Sequence, residues 1–101
     1  IVAITLGAAA LFPALGQTLG DPSSGRQIAM TTCGSCHYVF ATKQSKMEVP
    51  PTFEDVANLP STTALSLKVF LRSNHKRMPN LILSDAEVDN VIAYILSLKR
   101  K

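Results

Sequence analysis

At 101 residues the chain has room for one domain, and its hydrophobic share of 47% is that of a globular protein rather than a disordered one. The formal charge is +3, yet no aromatic side chains interleave with the bases, so composition gives no support to nucleic-acid binding. Once an uncharged start is set aside, about 80 residues remain to build a core, a length that calls for a metal, a disulfide or another staple.

Residues 1–16, IVAITLGAAALFPALG, carry no charge, and every Lys and Arg lies after them. As a helix the stretch is roughly 24 Å long against a hydrocarbon core of about 30 Å, and it contains Gly7 and Pro13. It reads as the remnant of a secretory signal, with Ala14 and Gly16 as small residues before a cut at Gln17. An uncleaved hydrophobic leader and a buried helix of the fold are the alternatives, and only the leader would attach the protein to a membrane. Residues 17–24 then read as a linker and 25–101 as the domain. Export implies an oxidising compartment, the periplasm.

Within the domain, Ser23 or Ser24 is expected to cap a helix that starts near Gly25 and runs into Cys33, with Ile28 and Ala29 on its apolar side. Residues 38–52 read as a long loop ending in Pro50-Pro51, followed by a short helix over 53–58. Ser61 or Thr62 opens the next helix, whose buried face is predicted to hold Leu67, Phe70 and Leu71. Pro79 keeps the basic stretch RSNHKRMPN out of a helix interior. Ser84 and Glu87 form an S-x-x-E capping box, and Val88, Val91, Ile92, Ile95 and Leu96 follow at helical spacing. No stretch alternates like a strand, so the expected class is all-α.

The string Cys33-Gly34-Ser35-Cys36-His37 carries the chemistry. C-x-x-C-H is the attachment pattern of c-type haem: one helical turn offers both sulfurs to one edge of the macrocycle, and the next residue points an imidazole at the iron. The sixth iron ligand is then Met78, which Pro79 places in a loop between two helices; a Met/His pair raises the reduction potential. Met30 lies too close to Cys33 in sequence to reach the far haem face, Met47 is a poor second, and His75 is the serious rival.

Gly25, then CGSCH, a Pro and a Phe, a helix, Met78-Pro79-Asn80 and a final helix with Tyr94 together resemble the class I cytochrome c family. The likeness runs from about Gly20 to Leu98, and MPNLILSDAEVDNVIAYILSLKR is especially similar to short bacterial members. The resemblance implies three or four helices around one haem c, a close crossing of the first and last helices at Gly25 and Tyr94, and a Pro51 carbonyl, or the adjacent Pro50, bonded to the Nδ1–H of His37. Ala29 departs from it, standing where many members carry an aromatic residue, which questions how tightly the helices cross.

The function expected is electron transfer, either by a free carrier or by the cytochrome subunit of a dehydrogenase, and not catalysis. Lys43 and Lys46, with Arg72, Lys76 and Arg77, form either a basic ring that steers acidic redox partners or an ordinary solvated charged surface. The rival reading is a thiol–disulfide oxidoreductase using the CGSC dithiol, although no strand precedes it. A structural zinc site is awkward because His37 adjoins Cys36, and a gas sensor or peroxidase would need Met78 to detach.

Overall fold

The computed structural model describes residues 2, 3, 7, 19–42, 50–79 and 81–100. Within them are four α-helices and no strand: α1 (Pro22–Ile28), α2 (Phe53–Ala57), α3 (Ala64–Leu71) and α4 (Asp85–Ser97). A single π-helical turn, Ala29–Cys33, continues α1. No described helix is long and apolar enough to cross a membrane. Most of residues 1–18, and with them the expected leader, lie outside the described residues, as do Lys43, Lys46 and Met47.

α1 starts three residues before the expected position. Asp21, not Ser23 or Ser24, is its N-cap and accepts from the Ser24 backbone N–H at 2.9 Å, while Pro22 takes the first helical position. Pro lacks an N–H that would go unpaired there, and its fixed φ suits the helix, so the cap falls one residue ahead of it. α3, by contrast, starts late: Thr63 caps it, and Ser66 completes a capping box. α4 begins on the Ser84–Glu87 box that its sequence announces.

The core is built around α4, whose Val88, Val91, Ile92, Tyr94 and Ile95 are buried against Ala29, Cys33, Val39, Phe53, Ala57 and Leu67. α1 crosses α4 at Gly25, where a Cβ would fall inside the Asn90 backbone and lie 2.9 Å from the Tyr94 Cβ. Asn90 adds a hydrogen bond to the Asp21 N–H at 2.8 Å. Ala29 is fully buried and belongs to the same core cluster as the α4 residues, so its small side chain leaves no opening to solvent. Lys68–Asp89 (3.4 Å) and Arg72–Asp85 tie α3 to α4, and Arg100–Glu54 (3.3 Å) ties α2 to the residues after α4.

α3 departs from its predicted face. Leu67 is buried and Leu71 half-buried, but Phe70 is exposed and stacks on His75 instead. The spacing fixes which residues share a side of the helix, whereas the angle at which α3 meets α4 decides how many of them are covered.

Candidate functional site

The π-helical turn delivers Cys33. Its hydrogen bond from Gly34 N–H to the Ala29 carbonyl (2.8 Å) spans five residues and widens the helix just before the CGSCH segment. A Cβ on Gly34 would sit 2.7 Å from the Met30 carbonyl oxygen, so a larger residue there would force the backbone of the turn to shift. The next turn folds back on Cys33, whose carbonyl accepts from the N–H of His37 at 2.9 Å and of Cys36 at 3.2 Å. Both cysteines are free thiols, Cys33 buried and Cys36 exposed.

Burial pushes the Cys33 thiol above its ordinary pKa of 9.0, so it stays protonated at neutral pH. The exposed Cys36 would have to be the attacking thiol of any disulfide exchange, and none of the described residues supplies the strand that precedes such dithiols in their usual fold.

His37 is held on two sides. Its Nδ1–H donates to the Pro51 carbonyl at 2.7 Å, which leaves the lone pair on Nε2. Phe53 packs beside the ring at 5.5 Å between centroids. Pro51 and Phe53 are in turn fixed by α2, where the Thr52 hydroxyl caps the helix and the Phe53 N–H donates to the Tyr38 carbonyl at 3.0 Å. The buried Tyr94 hydroxyl donates to the Val39 carbonyl at 2.7 Å, and Arg26 lies 4.9 Å over the Phe40 ring. The segment 37–40 is thus pinned by α1, α2 and α4 together.

Met30, Gly34, His37, Tyr38, Val39 and Phe40 line an apolar cavity of about 270 Å³. Met30 and Tyr38 expose large apolar surface at its edge, the kind that a flat apolar ligand would cover. Two thiols one turn apart, an imidazole with a fixed tautomer and an apolar cavity suit a covalently attached haem. A protein-only metal cage has no such basis: among the described residues no group of three or more His, Cys, Asp or Glu could hold an ion.

The structure gathers Cys33, Cys36, His37 and Pro51 at one place. Met78 is half-buried in the loop between α3 and α4 and is not among the residues lining this cavity. Sequence reasoning missed the π-helical turn and the Tyr94–Val39 bond. Tyr94 was visible as a crossing residue, but its hydroxyl partner lies 55 residues away.

Comparison with known proteins agrees with this site. The family described as Cytochrome c matches residues 22–99. Cytochrome c-552 of Bradyrhizobium diazoefficiens is 34% identical over 79 residues, which cover 78% of this chain and 76% of that protein. No solved structure matches. Because the family match runs through all four helices and the attachment turn between the first two, the chain belongs to the cytochrome c family, the electron-transfer proteins that bind haem c covalently.

Proposed function

We propose that the chain is a periplasmic one-electron carrier whose haem c is bonded through Cys33 and Cys36 and ligated by His37 and Met78. The observation that carries this reading is the His37 Nδ1–H bond to the Pro51 carbonyl, made within the CGSCH turn. It fixes the tautomer and ring plane and raises the basicity of Nε2 before any metal is bound. The bound haem supplies a one-electron ferric/ferrous change.

Cys33 and Cys36 would hold the haem as thioethers, each S–H adding across a vinyl double bond. Cys33 is buried against the core and Cys36 faces out, so one sulfur would be offered from the core side and one from the surface. With His37 and Met78 both engaged, no position on the iron is left for substrate, which makes the protein a carrier and not an enzyme. It serves as a free carrier or as the cytochrome subunit of a dehydrogenase, and meets redox partners of acidic surface. The uncharged stretch 1–16 supports export as the route to the periplasm.

Visible spectra of protein matured in a host that attaches haem c test the reading. Sharp reduced low-spin bands, with a weak red sulfur–iron band when oxidised, are expected. A low-spin spectrum lacking the red band would move the sixth ligand away from Met78. A colourless protein from a competent host would overturn the assignment and return the CGSC dithiol to consideration.

A further inference from the structure

The loop that carries Met78 contains a contact whose purpose the fold alone does not explain. α3 ends with the Phe70 ring stacked face to face on the imidazole of His75, 3.9 Å between centroids and 14° between planes. Phe70 is 43% exposed and His75 is exposed, and neither belongs to the core cluster, so the stack is not a by-product of core packing. His75 and Met78 in turn exchange backbone hydrogen bonds, N–H of each to the carbonyl of the other, both 3.3 Å. Residues 75–78 are therefore a closed turn, with Lys76 and Arg77 at its tip and Met78 at its far corner.

Hydrogen bonds of 3.3 Å are long, and two of them do not hold a solvent-exposed turn in one place. The end of α3, by contrast, is well fixed. The Ser73 N–H donates to the Phe70 carbonyl at 3.1 Å, its hydroxyl donates to the Val69 carbonyl at 2.6 Å, and Arg72 pairs with Asp85 at the start of α4. The ring stack is the link from this frame to the turn. We infer that Phe70 and His75 are positioning residues for Met78: their stack anchors the turn and keeps the thioether at its station, and it also keeps the His75 imidazole occupied. The inference rests on the reading of Met78 as the sixth ligand.

Cyanide capture by the ferric holoprotein tests it, because cyanide reaches the iron only when the sixth ligand leaves. Phe70→Leu and His75→Ala should each speed capture about five- to tenfold and weaken the sulfur–iron band. The double variant should be no faster than either single one, since both remove the same contact. His75→Phe keeps a flat ring and should stay within about twofold of the wild-type rate, with the band intact. Wild-type rates in Phe70→Leu and His75→Ala, with the band present, would overturn the positioning role and leave the Met78 ligand standing. His75→Phe behaving like His75→Ala would also overturn it, because the imidazole nitrogens and not the ring face would then matter. Absence of the band from the wild-type protein would remove both the ligand reading and this one.

Discussion

Tyr94 is 6% exposed, and its hydroxyl donates to a carbonyl in the segment that follows the haem motif. Replacing it with Phe keeps the ring packed against Phe53 but leaves the Val39 carbonyl without that donor. A loss of about 1–3 kcal/mol is expected from the guanidinium midpoint, with the haem spectrum little changed. The same hydroxyl gives the protein an alkaline limit. Burial raises its pKa above the ordinary 10.0, against the opposing influence of Arg26. The folded chain then keeps a proton that the unfolded chain releases. Stability from this group is complete below pH 10 and lost as pH rises toward the raised value. Tyr94→Phe should flatten that part of a stability–pH curve; an unchanged slope would assign it to another group. At this scale the sequence was partly legible. CGSCH announced its own chemistry, but the reason for Gly34 was hidden, because no periodicity foretells a π-helical turn whose inner wall is the Met30 carbonyl.

The α1–α4 crossing was easier to read than the helix starts. The Ser84–Glu87 box sits where its four-residue pattern puts it, because both partners lie within one turn. Asp21 was overlooked in favour of Ser23 and Ser24, since a proline beside it disguised the helix start as a loop. Both capping carboxyls titrate below their ordinary values, Asp21 through hydrogen bonds from the Ser24 hydroxyl and backbone N–H groups, Glu87 through bonds with Ser84. Stability from such groups is present above the unfolded values of 3.8 and 4.5 and is lost as pH falls through the lowered folded ones. Glu87→Gln should therefore shallow the acid limb of a melting-temperature profile followed by far-UV circular dichroism. The α1–α4 crossing makes a larger demand. Gly25→Ala would drive a methyl group into the Asn90 backbone, which cannot rotate away as a side chain can. We expect a loss of about 3 kcal/mol, read by chemical denaturation of the holoprotein. Phe70 was the misplaced residue of α3, since amphipathic spacing says nothing about an aromatic partner supplied by the following loop.

For the molecule as a whole, cofactor and charge set the behaviour. The all-α class was legible because apolar residues recur at helical spacing and none alternate. How the short α2 would be used was not, because its task is to present Pro51 and Phe53 to His37. A core this small closes around its haem, so a Cys33→Ala/Cys36→Ala chain made without haem should lack a cooperative melt in calorimetry. Docking should be electrostatic but local. Arg72 and Lys68 are already paired with Asp85 and Asp89, whereas Lys76 and Arg77 stand exposed at the tip of the Met78 turn with no ion pair among the described residues. Reduction by an acidic partner should slow with ionic strength, and a Lys76→Glu/Arg77→Glu variant should lose most of that dependence in stopped-flow traces. The Asp21–Asn90 bond has one more consequence. It joins residues 69 apart, and the helix carrying Asn90 is made long after the one carrying Asp21. While the chain is still being synthesised, α1 has no partner to lie on. The crossing at Gly25 is therefore completed only when the last helix has been made, so α1 settles late although it comes first in the chain.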